Sequence, residues 1–561
     1  MAQATDEFHF SPRPNRASEI NWRPWSQEAF EQARQTGRPI LLSISAVWCH
    51  WCHVMDETTY SHAGVIDLIN REYVPVRVDN DVRPDINQRY NMGGWPTTAF
   101  LTASGDILTG ATYLPPDQMA TALTQISTYY RGNQAEIASR VLEARKRAAS
   151  GVARSAGELD AGLVDLILDA VKSAYDPEYG GFGNAPKFPQ TDAILLLLEQ
   201  FVLRSDPDLG RMAVHTLEQM TGGGTYDQVE GGFFRYSTTQ DWSVPHYEKM
   251  LEDHAGLVQA LALAGMADAL DRTTGYLDRV LRDPKTGLYG GSQDADEHYY
   301  SMDAEERAQS TAPFVDRRIY TSWNAALAVA MSSPFMGKYP AKPGDGAGVH
   351  HLLDSLFKHA YRRGEGMTHA EGVGGQLGDQ VWSLWAAVRA YQHGLGEKWM
   401  QVALDLAAHL DDRYADSQLG GYFDHAGGDE LGRLGERIKP IAENSVAAMA
   451  LIELDILAGD PSAPYRERAR KALESVAALP QSYGLMAAVF ARALDRLRHA
   501  IKVSTRNPEL AHAAMVAHPY AVVDPTGDER AVVCVGTICL APVSTPTALA
   551  EAIREASRTR A

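Results

Sequence analysis

The sequence predicts a multidomain chain: an N-terminal α/β domain, a long all-α toroid of (α/α) hairpins, and a small C-terminal α/β appendage. Three observations predict it. Residues 20–130 alternate helical and strand patterning. Between 157 and 495 an acidic residue followed by paired glycines and aromatics keeps returning in an otherwise helical pattern. From 496 onward β-branched runs reappear. The corresponding boundaries are 1–130 for the first domain, 131–156 for a linker helix, 157–495 for the toroid and 496–561 for the appendage.

In the first domain, Ser26 is a plausible N-cap for a helix running through Ala33. Pro39–Ser45 is an apolar run of buried-strand length, Cys49 to Asn70 reads as one helix, and Tyr73–Asp79 reads as a second strand. Thr97–Thr102 and Ile107–Gly110 flank Ala103-Ser104-Gly105-Asp106, a hairpin turn signal. A last helix starts near Pro116. Residues 131–156, rich in Arg, Glu, Ala and Ser, read as a connector without chemistry.

The toroid shows its repeat at Asp176-Pro-Glu-Tyr-Gly-Gly-Phe, Asp227-Gln-Val-Glu-Gly-Gly-Phe, Asp283-Pro-Lys-Thr-Gly-Leu-Tyr and Asp416-Ser-Gln-Leu-Gly-Gly-Tyr. The spacings are 51, 56 and 133 residues, the last roughly twice the others. Polar clusters that open helices follow most of these turns, as in Pro245-His-Tyr-Glu-Lys-Met, Thr321-Ser-Trp-Asn, Gly378-Asp-Gln-Val and Glu443-Asn-Ser-Val. If the helix starts gather at one end, they surround a polar, aromatic-lined cavity. The tail carries Tyr520-Ala-Val-Val, Ala531-Val-Val-Cys-Val and a closing helix near Ala548–Ala556.

Composition bounds the function. Fifty-two basic against 71 acidic residues leave a net charge of −19, which argues against nucleic-acid partners, because phosphate contacts need clustered Lys and Arg. No apolar run approaches a membrane span, and the first twenty residues lack the apolar stretch of a secretory signal. A cytoplasmic location without membrane partners is the expectation. Four cysteines in 561 residues do not make a disulfide scaffold; they suggest a reducing compartment and a specific task for each thiol.

Trp48-Cys49-His50-Trp51-Cys52-His53 follows a predicted strand and opens a helix, the setting in which Cys-x-x-Cys signals redox chemistry. A helix N-terminus favours an anion, and His50 adds a cation when protonated, so Cys49 is expected to be the thiolate. Cys52, three residues on, is expected to resolve the mixed disulfide. Gly93-Gly94-Trp95-Pro96-Thr97 precedes the hairpin, and a proline placed there in a thioredoxin-type domain is cis and packs against the thiols. Cys49, Cys52, His50 and Pro96 are therefore the catalytic set, with Trp48, Trp51 and Trp95 as substrate contacts; Asp79 receives no catalytic role. A buried structural thiol couple is one rival reading. A metal site of Cys49, Cys52 and His53 is another, but it lacks a fourth ligand; neither a metal nor a cofactor is expected. Cys534 and Cys539, with four residues between them, read as a locally packed or paired couple.

These motifs resemble the thioredoxin-domain family that includes spermatogenesis-associated protein 20 and bacterial YyaL-type proteins. The resemblance rests on Trp22-Arg-Pro-Trp-Ser, Cys49-His-Trp-Cys-His-Val-Met, Val78-Asp-Asn-Asp-Val-Arg-Pro-Asp-Ile and Gly93-Gly-Trp-Pro-Thr-Thr. It continues through Gly180-Gly-Phe-Gly-Asn-Ala-Pro-Lys-Phe-Pro, Pro245-His-Tyr-Glu-Lys-Met-Leu, Gln293-Asp-Ala-Asp, Thr321-Ser-Trp-Asn and Asn444-Ser-Val-Ala-Ala, and reaches Cys534. It implies a thioredoxin-like domain fused to an (α/α)6 six-hairpin glycosidase-like toroid, and says little about the reaction.

In the toroid, sugar chemistry needs carboxyl or imidazole pairs across an aromatic-lined hole. The candidate substrate-binding residues are Lys187, Arg235, Tyr236, His246, Glu248, Asp294, Asp296, Trp323, Asn324, Asp379 and Glu443; Asp253 is a further acid at a helix start, Trp242 and Trp382 are further rings for stacking on a sugar, and Lys249 is a further cation for carboxylates. The structural alternative is that the acids and amides are helix caps and that Gly-Gly-aromatic turns close hairpins without a ligand. Only His246 stands clearly at a helix start, which argues against a two-histidine epimerase. The leading expectation is a thiol–disulfide oxidoreductase acting on a protein disulfide or thiol, with a toroid that binds a carbohydrate-like ligand. The alternative is a sugar epimerase, isomerase or glycosidase whose thiol domain is regulatory or structural.

Overall fold

A computed structural model describes residues 8–151, 157–160, 162–333, 336, 348–428, 430–460 and 462–558. Residues 152–156 of the expected linker, and Asp6 and Glu7 of the N-terminal stretch, lie outside them. The chain forms two compact units, one of residues 1–154 with 427–437 and the other of residues 155–426 with 438–561. Gly427–Arg437, which the sequence places in the toroid, thus belongs to the first unit.

The first unit carries α1 (Gln27–Thr36), β1 (Ile40–Ser45), α2 (His50–Glu57), α3 (Ala63–Glu72), β2 (Val74–Asp79), α4 (Pro84–Tyr90), β3 (Thr97–Leu101), β4 (Ile107–Ala111), α5 (Pro116–Gly132) and α6 (Gln134–Gly151). Its sheet runs β2-β1-β3-β4, with β1 parallel to β2 and antiparallel to β3. Every residue of β1 is buried, as expected of a central strand covered on both faces. The single helix expected from Cys49 to Asn70 is two helices. Thr58 Oγ1 donates to the Val54 carbonyl and Ser61 Oγ to that of Asp56, competing with helical bonding, while Tyr60 turns into the core. The helix α4, absent from the sequence reading, starts at Pro84, which suits a first helical turn.

Gly427–Arg437 completes this unit. Leu434 packs among Trp25, Phe30 and Tyr90, Arg433 N donates to the Tyr90 hydroxyl at 2.8 Å, and Arg89 donates to the carbonyls of Arg433 and Glu436. Gly432 has φ +60°, and a Cβ there would lie 2.5 Å from the Tyr90 hydroxyl, so only glycine fits.

In the second unit, Thr191–Arg204, Leu251–Leu263, Thr321–Met331, Leu377–Gln392, Ile441–Ala458 and Ala488–His499 pack in that order into a ring, the last against the first. Each is preceded in the chain by an outer helix: Gly162–Ala174, Pro207–Gly222, Ala267–Tyr276, Val349–Ala360, Lys398–Arg413 and Tyr465–Glu474. This is an (α/α)6 toroid. The inner helices are sheathed by protein and read as nearly continuous apolar runs, with Ile441–Ala458 almost wholly buried.

The recurring Asp-Gly-Gly motif is a turn. Asp176, Asp227, Asp283 and Asp416 each accept two backbone N–H groups on Oδ1 and close the loop with main-chain bonds. Three copies add a lysine: Lys187, Lys249 and Lys439 each bond the other oxygen of the aspartate and the carbonyl of the first glycine.

The appendage is a four-stranded sheet ordered Ala521–Asp524, Ile501–Ser504, Val532–Val535 and Ile538–Cys539, with helices Pro508–Ala517 and Pro546–Arg558 packed on it. Tyr520 docks against the ring, its hydroxyl 3.2 Å from Glu199. Arg389 and Arg496, in the last turns of their helices, share Glu453, so cations sit where the helix dipoles are negative.

Candidate functional site

Cys49 is the N-cap of α2. Its Sγ accepts the Cys52 N–H at 3.1 Å, and it is disulfide-bonded to Cys52. Both sulfurs lie in nearly buried residues, while Trp51 beside them is 48% exposed and meets His50 edge-on at 5.9 Å. The Trp95–Pro96 peptide is cis. The antiparallel register pairs Thr97 with Ile44, which sets Pro96 beside the end of β1 from which the Cys49 loop departs. Asn91 Oδ1 accepts the N–H groups of Gly93 and Gly94 and fixes that loop. Trp48 is buried, meets Trp95 edge-on at 5.6 Å and donates to Asp81 at 2.7 Å. Asp79 caps the following turn through the Asp81 and Val82 N–H groups.

Two buried charges tied to the dithiol helix, Arg77 and Asp56, were missed by the sequence reading. Arg77, buried in β2, forms a two-pronged pair with Asp56 at 2.9 Å on each prong and stacks on Phe10. Burial, with His9, Arg77 and His50 nearby, pulls His53 down to about 3, so the imidazole is neutral at ordinary pH. Among the described residues no group of three or more His, Cys, Asp or Glu side chains is arranged to hold a metal ion.

In the toroid, one rule orders the helix starts. The fourth residue of four inner helices pins the backbone of the preceding turn. His254 Nε2 accepts the Phe233 N–H, Asn324 bonds the N–H and carbonyl of Tyr289, Gln380 those of Met367, and Asn444 those of Tyr422. The third residues of the same helices are Asp253, Trp323, Asp379 and Glu443. The helix starts converge: Ser322 N donates to Asp379, Thr321 N to the His369 carbonyl and Leu377 N to the Asp424 carbonyl.

Acids crowd this end. Burial by the surrounding protein, then Asp253, with Glu443 adding, pushes Glu252 up to about 7 against the pull of Arg235, although the residue keeps contact with solvent. Burial and Glu248 raise Asp253 to about 6, and burial, with Asp424 and Asp379, raises Glu443. Two imidazoles are held by carboxylates. His246 Nδ1 bonds Glu248 and its ring stacks on Tyr236 at 4.8 Å, which in turn stacks on Phe188 at 4.6 Å. His369 Nδ1 lies 3.0 Å from buried Asp379, which also accepts the Gln376 N–H. His369, ten residues before its partner and outside any helix, was not singled out in the sequence.

Several expected ligand contacts instead have structural positions. Lys187 is fully buried and its three donors go to Asp176, the Gly180 carbonyl and the Gln240 carbonyl, so it has none left for a ligand. Asn324 is consumed by its turn as described, and Asp296 is the N-cap of Glu297–Ser301. Asp294 is buried, its Oδ1 on the Ala295 N–H. Lys249 is buried against Tyr276, at 4.2 Å, and Asp227; burial brings it down to about 8. Trp323 packs on Tyr320 and Trp382 on Trp385.

Residues 13–148 match the family described as Thioredox_DsbH, a protein of unknown function (DUF255). The chain is 37% identical over 313 residues to spermatogenesis-associated protein 20 of Homo sapiens, a match covering 49% of this chain and 39% of that protein. The matched part is thus about two fifths of the length of that relative. Among solved structures, cellobiose 2-epimerase from Spirochaeta thermophila aligns at 18% identity and TM-score 0.46, covering 60% of this chain and 94% of the other. A DsbH oxidoreductase aligns at 19% identity and TM-score 0.18, covering 22% and 95%. The chain therefore resembles the thioredoxin-domain family of spermatogenesis-associated protein 20, with a thioredoxin-like region followed by a helical toroid.

Proposed function

We propose that the first unit is a thiol–disulfide oxidoreductase. The observation that carries this reading is Cys49 at the start of α2, bonded to Cys52 and accepting its N–H. In the reduced state that N–H and the helix N-terminus stabilise a thiolate on Cys49. The thiolate attacks a substrate disulfide, forming a mixed disulfide and releasing one substrate thiolate. Cys52 then attacks Cys49 Sγ and frees the second, so two electrons pass to the substrate. Exposed Trp51 offers a contact for a protein substrate, and a cytoplasmic setting would keep the pair reduced between cycles. Insulin reduction with dithiothreitol as the electron source tests this: turnover is expected for the wild type and not for Cys49→Ser, and equal rates would remove the claim.

A second reading concerns the toroid. His246 with Glu248, His369 with Asp379, and the protonatable acids Glu252 and Asp253 near Arg235 are proton-handling groups at one end of the ring, beside the Phe188–Tyr236 stack. They favour a carbohydrate-like ligand and, if catalytic, an epimerase, isomerase or glycosidase. A panel of mono- and disaccharides tests it: turnover lost in His246→Ala supports catalysis, and the absence of both turnover and a rise in thermal stability across the panel overturns the sugar reading.

A further inference from the structure

The second cysteine pair has a placement that a packing role does not explain. In the C-terminal sheet, Ile501, Val503 and Val533 are buried under the two helices, so the alternation of a strand puts Lys502 and Cys534 on the opposite face. The antiparallel register sets Lys502 opposite Cys534, and Cys534 opposite Cys539. Directly opposed residues share a face, so Lys502, Cys534 and Cys539 form one row of residues across the sheet. Cys534 and Cys539 are joined as a disulfide. Ile538–Cys539 is the edge strand, Cys539 is exposed, and its neighbour Ile538 is 62% exposed.

This bond does little to hold the fold. It closes a loop of only four intervening residues, where the entropy removed from the unfolded chain is smallest. The hairpin is already set by its ladder and by Gly536, whose φ of +58° suits a tight turn. What the placement does provide is access for a thiolate at Cys539 and a cationic residue opposite the one whose sulfur leaves. Lys502, whose ammonium bonds Asp524 of the strand on its other side at 2.8 Å, is that residue; swung across to Cys534 it would stabilise the departing thiolate, and a thiol whose thiolate is stabilised departs faster.

We propose that Cys534–Cys539 is a second thiol–disulfide exchange centre, opened by the reduced Cys49/Cys52 pair of another copy of the chain. This rests on the oxidoreductase reading and names a substrate for it. The Cys49 thiolate attacks Cys539 Sγ; the Cys534–Cys539 bond breaks and Cys534 leaves as a thiolate on the residue opposite Lys502. Cys52 then attacks Cys49 Sγ, releasing Cys539. The N-terminal pair ends as a disulfide and the C-terminal pair as two thiols, which take up protons from water. Dithiothreitol supplies the electrons that reduce the first pair.

The test mixes two full-length variants. The donor carries Cys534→Ala and Cys539→Ala, is reduced with dithiothreitol and is freed of it. The acceptor carries Cys49→Ser and Cys52→Ser with its C-terminal disulfide intact. Alkylation and mass spectrometry follow thiols at Cys534 and Cys539. The expected result is opening at least about tenfold faster than by the same concentration of dithiothreitol, and at least threefold slower when the acceptor also carries Lys502→Met. Opening no faster than with a donor that also carries Cys49→Ser overturns the proposal, and an unchanged rate with Lys502→Met removes the role of the cation. Insulin reduction by the same donor separates the two claims. A donor that reduces insulin but leaves the acceptor closed defeats only this proposal, whereas one that reduces neither defeats the oxidoreductase reading as well.

Discussion

Replacing Asn444 by leucine tests the rule that organises the toroid. Asn444 is fully buried and holds Tyr422, its Oδ1 accepting the N–H at 2.8 Å and its Nδ2 donating to the carbonyl at 2.9 Å. Leucine has nearly the same volume, so no cavity forms and the loss is polar. The Pro440 carbonyl, the other acceptor of Nδ2, retains the backbone N–H of residue 444 at 3.2 Å. Two buried backbone groups of Tyr422 are thus left without this partner, at about 1–3 kcal/mol each, or about 4 kcal/mol together. Urea unfolding monitored by circular dichroism should show a toroid transition weakened by that amount, against a change within about 0.5 kcal/mol for Gln418→Ala on the surface of the preceding turn. The insulin activity of the first unit should be unchanged. A loss below about 1 kcal/mol would mean that the fourth-residue bonds do not fix the helix starts.

Two further outcomes follow from buried charge. Arg77→Met leaves Asp56 of the dithiol helix unpaired and should cost the first unit about 3–5 kcal/mol, much of it regained in Arg77→Met/Asp56→Leu; denaturant midpoints of both variants check this. The acids at the toroid mouth give a pH dependence of definite sign. Asp253 and Glu252 rise from ordinary values of 3.8 and 4.5 to about 6 and about 7, so between about pH 4 and pH 7 the folded toroid holds protons that the unfolded chain has released. Stability is therefore lost as pH rises through that window. Because the site is partly open to solvent, the share of Asp253 is about 1–2 kcal/mol. The melting temperature should fall less steeply with pH in Asp253→Asn, and an identical slope would contradict the placement.

Local signals were legible where a short stretch of chain does the work. Cys49 and Cys52 declare themselves because spacing and helix start lie within four residues, and the Asp-Gly-Gly turns do so because the aspartate bonds its own next few N–H groups. Contacts brought together by tertiary folding were not. Nothing near Lys187 in sequence shows that Asp176 and Gln240 take its donors. Arg77 looks like an exposed strand residue until Asp56 arrives from α2. The pairing of His369 with Asp379 depends on how residues 368–376 fold back onto the start of the fourth inner helix. The distinction between third and fourth helix positions was also present in the sequence, at 253/254, 323/324, 379/380 and 443/444, but reading it requires helix starts known to the residue, the least certain feature of a helical pattern.

The contribution of Gly427–Arg437 to the first unit bears on the order of events at the ribosome. Synthesis delivers the dithiol, its strand and its proline within the first hundred residues, yet Leu434 and Arg433, which cover the Trp25–Tyr90 wall, emerge more than three hundred residues later. Until then the nascent domain presents an uncovered aromatic surface, and its completion waits on four of the six helical hairpins and the outer helix of the fifth being translated.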